Sequence, residues 1–466
     1  MMKKIICILV FIFPVVTFAQ QPWFNDSLQD PGWKYVGNAA FSAGVAYDVS
    51  LRFNPSDSLP YVAYQDRNLF ENITVMKFNG THWVNVGNAG FSTDFPEYVS
   101  LAFSPSDGFP YVAYSDGIGG FKARVMKFNG TKWVNVGNTG QGFSAGEADY
   151  VSLAFNPADN QPYVAYKDYG NANKATVMTY NGTRWVNVGN AGFSAGETDN
   201  ECLAFNPYDY QPYVAYMDYV SSGISVMTFN GTNWVNIGTA GFYAGSADYI
   251  SLAINPSSGL PYVAFADRSI ALKATVMMFD GTNWVYVGNA GFSTSLAQYE
   301  NIAFGPRDAQ PYVAYADSAG LATLMKFNGT NWVSVGKKGF SPGVVYFPSL
   351  DFSPADKQPY VAFEDAVTGF ASVMKYDSVV GLNELIQSKL SLYPNPAHST
   401  VYVSSSGALT HQNGSLTLYD IRGLLLLTKQ VGNETTGIDV SGLKPGVYFV
   451  RFSDNTMTRE LKFIKN

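Results

Sequence analysis

Cysteine is nearly absent, with 2 in 466 residues. Cys7 lies in an N-terminal segment that reads as removed, which leaves Cys202 alone. That excludes an intramolecular disulfide, so core burial must stabilise the chain. Histidine is as scarce, with 3: His82, His398 and His411. No two are spaced as metal ligands and none forms a pair with Cys202, which argues against a zinc site or thiol catalysis. A Ser-His-Asp triad would have only His82 in the repeat region to draw on, and no Gly-x-Ser-x-Gly elbow occurs. Charged residues make up 14% and the net charge is -7. No concentrated basic face is visible, so a nucleic-acid partner is not expected. Gly140-x-Gly142 has no helix after it and does not read as a phosphate loop. No cofactor is expected, and nothing in the sequence supports a bound cation such as calcium.

Long apolar runs are missing after the N-terminus. Leu424 to Leu427 is four residues and reads as a strand, so no transmembrane segment is expected after signal cleavage. At the start, Lys3 and Lys4 precede an apolar run from Ile5 to Val16, too short for a stable anchor. Thr17-Phe18-Ala19 offers small residues for cleavage after Ala19. Residues 1–19 therefore read as a secretory signal peptide and 20–32 as an N-terminal segment.

What is present is apolar and aromatic. Hydrophobic residues are 47% and aromatic residues 15%. Tyr, Phe, Val and Thr abound while helix-forming runs are absent, so the fold class is expected to be all-β.

Tryptophans mark a repeat: Trp33, Trp83, Trp133, Trp185, Trp234, Trp284 and Trp332. The third copy shows the unit: Trp133-Val-Asn-Val-Gly137, Tyr150-Val-Ser-Leu-Ala-Phe155, Pro162-Tyr-Val-Ala-Tyr-Lys-Asp168 and Ala175-Thr-Val-Met-Thr-Tyr180. Each segment alternates or is rich in β-branched and aromatic residues, and each ends in turn chemistry, giving four short strands per unit. Asn156-Pro157 and its relatives join the second and third segments, where a type I turn is expected. Asn79-Gly80 and its relatives join the fourth segment to the next tryptophan, where Asn-Gly favours a type I′ hairpin turn with positive φ at both central residues. The Asn-Gly-Thr triplets read as turns before they read as glycosylation acceptors.

Seven four-stranded units of this length read as a seven-bladed β-propeller over residues 33–377. The Trp33 strand has no preceding set and the last set has no following tryptophan, so the N-terminal strand is expected to complete the seventh blade and close the ring.

Residues 378–389 read as a linker and 390–466 as a small Ig-like antiparallel β-sandwich. Its motifs are Leu392-Tyr-Pro-Asn-Pro-Ala397, Leu418-Tyr-Asp-Ile-Arg-Gly423, Leu443-Lys-Pro-Gly-Val-Tyr-Phe-Val-Arg-Phe452 and Arg459-Glu-Leu-Lys-Phe-Ile-Lys-Asn466. In this order they resemble the type A C-terminal sorting domain of type IX secretion substrates in the Bacteroidetes, over residues 388–466. The resemblance implies the type IX machinery as a partner, passage through the periplasm, and release or display at the cell surface. It implies nothing about the propeller.

Asp66, Asp116, Asp168, Asp218, Asp267, Asp317 and Asp365 end the third segment of every unit. A catalytic acid is needed once, so these read as caps of backbone N–H groups. The Asn-Pro and Asn-Gly turns share one face and hardly vary. The loops entering the innermost strand share the other face and differ, as binding loops do. In register, that rim carries Tyr47, Glu97, Asp149, Asp199, Asp248, Gln298 and Tyr346, then Asp48, Tyr98, Tyr150, Asn200, Tyr249, Tyr299 and Phe347. Glu201 and Glu300 replace an aliphatic residue in the next column. Aromatic planes beside carboxylates suit sugar stacking and hydroxyl hydrogen bonds. Alternatively, the tyrosines pack between blades and the acids are simply solvated. The leading expectation is a secreted or surface-displayed binding protein for glycans or other extracellular ligands, without catalysis. A polysaccharide hydrolase or lyase using rim carboxylates, and an adhesive protein-binding module, are the alternatives.

Overall fold

Alternation in the repeat resolves into antiparallel sheets in the computed structural model, which describes residues 32–92, 95–137, 140–377, 389–406, 414–421, 423–431, 435–453 and 458–466. The signal peptide and nearly all of the N-terminal segment and linker lie outside the described residues. The division between two compact units falls after Ser378. Among the described residues no helix is long and apolar enough to cross a membrane.

Each repeat yields one four-stranded sheet. In blade 3 the strands are Ala148–Phe155, Pro162–Asp168, Lys174–Tyr180 and Trp185–Asn187, paired in sequence order. Blades 1, 2, 4, 5 and 6 begin at Ala46, Pro96, Thr198, Ala247 and Gln298 and follow the same order. Blade 7 begins at Val345, and its outer strand is Trp33–Tyr35, with Trp33 opposite Tyr376. The second strand is the most buried, because it has sheet on both sides and blades on both faces; Pro60–Asp66 is buried throughout. Its central tyrosine gives its hydroxyl to a methionine sulfur in the third strand, as Tyr64 does to Met76 at 3.3 Å and Tyr216 to Met227 at 3.0 Å. Blades 5 and 7 place Phe265 and Phe363 there, fully apolar and buried.

Two belts join neighbouring blades. In the outer belt each tryptophan stacks on a phenylalanine of the loop entering its blade: Phe91 on Trp133 at 3.9 Å, Phe143 on Trp185 at 4.0 Å, Phe340 on Trp33 at 3.6 Å. The indole N–H then donates to the residue just after the outer strand of the preceding blade, as Trp133 does to the Val86 carbonyl at 2.7 Å and Trp33 to Val335 at 3.0 Å. The donor of the indole is thereby satisfied, and the ring is buried in five blades and half-buried at Trp284 and Trp332. In the inner belt a serine hydroxyl accepts a backbone N–H of the next blade. Ser50 accepts from Leu101, Ser100 from Leu153, Ser152 from Leu203 and Ser251 from Ile302. Asn301 does the same for Leu350, and Ser349 of blade 7 accepts from Leu51 of blade 1 at 3.0 Å. Cys202 holds the serine position in blade 4, and its thiol donates to the Ile250 carbonyl at 2.9 Å.

The turns partly depart from expectation. In the Asn-Pro turns the Asn side chain bonds back, as in Ser56 N–H to Asn54 Oδ1 at 2.8 Å. The loop closes one residue later than a lone type I turn, by Ser58 N–H to the Asn54 carbonyl, with Ser58 at φ 58°. The Asn-Gly hairpins are not type I′. Gly80 has φ 97° but Asn79 is not in the left-handed region. Asn79 N–H bonds the His82 carbonyl, which makes Gly80 and Thr81 the central pair. Positive φ at the first central residue alone is the type II′ pattern. Asn79 stays outside because its Oδ1 takes the N–H groups of Thr81 and His82, at 3.0 and 2.9 Å.

The second unit has a three-stranded sheet of Lys389–Tyr393, Thr400–Ser406 and Thr435–Asp439. A four-stranded sheet runs in the order Leu425–Gln430, Ser415–Asp420, Gly446–Ser453, Thr458–Lys465. Val401, Val403, Leu416, Leu418, Ile438, Val450 and Phe463 form one core. Asn395 of the Tyr-Pro-Asn-Pro motif reaches the last strand, accepting Ile464 N–H at 2.9 Å and donating to the Lys462 carbonyl at 3.3 Å. Leu425 to Leu427 form part of an edge strand and are exposed.

Candidate functional site: the rim around the innermost strands

The innermost strand of every blade breaks register at one place. In blade 3 Asp149 faces Lys167 and Ser152 faces Ala165, so the two residues between are bulged out. Blade 4 shifts between Asp199 and Cys202, and blade 1 between Tyr47 and Ser50. The first bulged residue is left-handed in all seven blades: Asp48, Tyr98, Tyr150, Asn200, Tyr249, Tyr299 and Phe347, with φ between 50° and 62°. Only two of these residue types, Asp and Asn, favour that conformation; for the aromatic five it costs about 1–3 kcal/mol each. Such strain persists where surrounding structure fixes it, and it re-aims one side chain per blade.

The re-aimed side chains form two aromatic arcs. Tyr98 meets Tyr150 with ring centroids 5.1 Å apart. Tyr249 meets Tyr299 at 4.6 Å, and Tyr299 meets Phe347 at 4.8 Å and Tyr346 at 6.3 Å. Asn200 and Asp48 interrupt the ring. Asp48 accepts Tyr98 N–H at 2.9 Å and the Gln65 side-chain amide at 3.3 Å, and burial raises its carboxyl above the usual range. The tyrosines pack against neighbouring blades yet stay half-buried, with one surface open.

The rim acids are not simply solvated. Asp149 accepts the Tyr169 hydroxyl at 3.0 Å. Asp199 accepts the Tyr219 hydroxyl and Lys167 Nζ, the latter at 2.7 Å, and Lys167 also reaches Glu197 at 3.2 Å. Asp248 pairs with Arg268 at 2.8 Å, and Tyr47 accepts from Arg67 at 3.2 Å. Each partner but Lys167 follows the recurring aspartate of the same blade. Glu97 is exposed; its carboxyl is raised by partial desolvation, then by Asp149 and Asp48.

Glu201 and Glu300 lie below this ring, 3% and 5% exposed, where blades 1 to 3 have Val49, Val99 and Val151. Glu201 accepts the Thr198 hydroxyl through Oε1, while its Oε2 and both oxygens of Glu300 have no partner among the described residues. Desolvation pushes Glu201 up to about 8 and Glu300 well above the carboxylate range. Sequence reasoning missed Glu364, buried one position before Asp365, with its Oε2 unpartnered among the described residues. Burial and then Asp48 push it up to about 7. A signal was available: that position carries Gln65, Lys167 or Glu364 inside a buried strand.

The recurring aspartates act as caps. Asp66, Asp168, Asp218, Asp267, Asp317 and Asp365 each accept a backbone N–H two residues on, at 2.9 to 3.1 Å. Asp116 is ion-paired with Arg124 inside blade 2. Among the described residues no group of three or more His, Cys, Asp or Glu is placed to hold a metal ion.

A cavity of about 280 Å³ lies among the innermost strands, lined by Asp48, Tyr98, Tyr150, Asn200, Glu201 and Phe347 among others. The opposite face has cavities too. One of about 470 Å³ lies between blades 1 and 2, and one of about 400 Å³ between blades 6 and 7. Both contain a lysine over a tyrosine ring and beside an aspartate: Lys77, Tyr61 and Asp57; Lys326, Tyr312 and Asp308.

No curated protein matches the chain in sequence. Among solved structures, the chain is similar to PorZ, a surface component of the type IX secretion system of Porphyromonas gingivalis, at 13% identity over 92% of this chain and 61% of PorZ, TM-score 0.48. It is similar to AofleA from Arthrobotrys oligospora at 12% identity over 66% of this chain and 91% of that one, TM-score 0.43. A variant of Aleuria aurantia lectin with alpha-methyl-L-fucoside gives 14% identity over 66% of this chain and all of the lectin, TM-score 0.41. Residues 391–466 match the family described as the secretion system C-terminal sorting domain. With the motif order and the sandwich fold, this end of the chain is a type IX sorting domain, and the protein is a propeller exported to the cell surface or beyond.

Proposed function

We propose that the propeller binds glycans through the bulged rim and does not turn them over. The observation behind this reading is the column of seven left-handed residues, five of them aromatic and two polar. Rigid half-open rings beside amide and carboxylate groups suit the apolar faces and hydroxyls of sugars. Preorganisation adds to affinity, since the rings lose little freedom on binding. Hydrolysis has less support. Glu201 and Glu300 are buried below the ring, and Asp149, Asp199 and Asp248 already hold partners.

The test is retention on a glycan array by the secreted protein, compared with Tyr98→Ala, Tyr150→Ala and Tyr249→Ala. Retention of a glycan class, weakened about tenfold or more by each change, is the expected result. Retention equal in wild type and all three variants would remove the rim from consideration.

A further inference from the structure

The two inter-blade grooves of the face opposite the rim are built on one frame and differ in charge. Between blades 1 and 2 the charged lining residues are Lys77, Asp57 and Asp107. Between blades 6 and 7 they are Arg307, Lys326, Lys357 and Asp308. Arg307 stands where blade 1 has Ser56, and Lys357 where blade 2 has Gly108, and both of those uncharged residues line the first groove. A third difference follows the outer strand. The Val-Gly or Ile-Gly there leads into Lys337-Lys338 in blade 6, whereas every other copy has Asn or Thr and then Ala or Thr. Gly336 lines the groove, and the two lysines after it are exposed. The whole chain carries a net charge of -7, so this concentration of cations is local and not part of a general basic character.

The fold does not use up these charges. Lys326 pairs with Asp308 at 2.6 Å, and Lys375 of blade 7 with Asp356 at 3.4 Å. Among the described residues Arg307 and Lys357 have no carboxylate partner, and both are exposed, so a ligand can reach them. Arg307 gives one Nη2–H to the Asp356 carbonyl at 2.6 Å, which ties the turn of blade 6 to that of blade 7. That task needs no charge: between blades 4 and 5 the Tyr208 hydroxyl does it, on the Ser257 carbonyl at 2.9 Å. A guanidinium with one bond to a neutral carbonyl keeps most of its N–H groups for another partner. Asn328, also in the lining, spends its Oδ1 on the N–H groups of Thr330 and Asn331, at 3.0 and 2.8 Å, and has its amide N–H groups left to give. Tyr376 adds a half-buried ring. The groove thus offers donors and positive charge beside an aromatic wall.

We propose that the groove between blades 6 and 7 binds the carboxylate or sulfate-ester groups of an acidic polysaccharide, with Arg307 and Lys357 as the anion contacts. It is a second site, on the face opposite the rim, and it does not rest on the rim reading. A planar guanidinium forks onto carboxylate or sulfate oxygens, and an ammonium adds a point charge beside it. Lys337 and Lys338 extend the positive field past Gly336, so a polymer with several anionic groups is attracted more than a single one. A sugar polymer carries its charges on uncharged rings and hydroxyls, which suit Tyr376 and Asn328. A nucleic acid suits the face less, because its phosphates are closely spaced and the groove between blades 1 and 2 holds one lysine against two aspartates.

The experiment uses the full secreted chain with polygalacturonate, dextran sulfate, uncharged dextran and a duplex DNA, followed by affinity electrophoresis and calorimetry at low and moderate salt. One variant combines Arg307→Ser and Lys357→Gly, which restores the residues of the groove between blades 1 and 2. The control is Lys77→Met, which gives blade 1 the residue that blade 5 has as Met278. Lys357 has φ 59°, which glycine adopts freely, so the combined variant should fold, and its melting temperature checks this. The expected result is that wild type binds one or both acidic polysaccharides and not dextran, with affinity falling as salt rises. The combined variant should bind tenfold or more weakly, and Lys77→Met within about twofold of wild type. Binding of polygalacturonate alone or dextran sulfate alone supports the site and assigns the anion as carboxylate or sulfate ester. Unchanged binding in the combined variant overturns the site. Equal weakening by Lys77→Met also overturns it, since the effect would then be diffuse charge. Binding of neither acidic polymer, or of the duplex as tightly as the better polymer, overturns the proposed ligand class. The rim reading survives each of these outcomes, because its own array test uses other residues.

Discussion

Trp33 and Phe340 stack face to face, 3.6 Å apart and 4° from parallel, from opposite ends of the repeat region. Trp33 is fully buried, and its indole N–H is held by Val335. A closed ring predicts that this contact matters as much as any internal one. Trp33→Ala should destabilise the propeller by about 3–5 kcal/mol. Trp133→Ala, the same position in blade 2, should cost a similar amount. Urea melts of both variants check this, and a negligible loss at Trp33 would show that the ring does not depend on its N-terminal strand.

Cys202 should be inert in the fold. Its thiol donates to Ile250, and burial pushes it up to about 12. The thiolate is the reactive form, so although Cys202 is partly exposed, alkylation of the native protein near pH 8 should be much slower than that of the unfolded chain. Cys202→Ser restores the residue used by five other blades and should change stability by less than about 1 kcal/mol. Rapid labelling of the native protein would contradict this placement.

Glu201 makes stability depend on pH in an unusual direction. Its folded pKa is raised to about 8, so the fold holds a proton that the unfolded chain releases above about 4.3. The contribution is fully present below the unfolded value and is lost as pH rises through about 8. Relative to Glu201→Gln, wild type should therefore lose on the order of a few kcal/mol between pH 4 and 8. Parallel urea-midpoint profiles for the two proteins would refute a buried, proton-holding Glu201.

The hairpin geometry separates two turn types by experiment. In a type I′ turn Asn79→Gly would be tolerated, because Gly suits positive φ. In the observed turn it removes two hydrogen bonds from Oδ1 and should cost about 1 kcal/mol. Gly80→Ala meets no neighbour within 4 Å but must adopt φ 97°, and should cost about 1–3 kcal/mol. Thermal melts of the two variants decide it.

What could be read from the sequence was local or periodic. Trp133, Pro162 and Asp168 mark strands because turn chemistry and alternation act over a few residues. The identity of the C-terminal domain was legible from four motifs in order. The left-handed bulge was not, since Tyr150 and Phe347 carry no mark of positive φ as glycine does. The type of the hairpin turn was misread because Asn79 is as good a cap as it is a left-handed residue. The inner belt stayed hidden because Ser152 and Leu203 are about one repeat apart and meet only in the folded blades. The pairing of rim acids was findable: Asp149 and Tyr169, Asp199 and Tyr219, and Asp248 and Arg268 share one spacing.

The placement of Trp33–Tyr35 in blade 7 also sets an order of events for a chain threaded from its N-terminus. The first strand to emerge has no partner until Ala371–Tyr376, the last strand of the repeats, has followed it. Six blades can assemble in transit, but the seventh waits for the whole region. The next residues to arrive are those leading to the sorting domain. In chain order the last strand of the propeller therefore precedes the sorting domain, whose matched residues begin at 391.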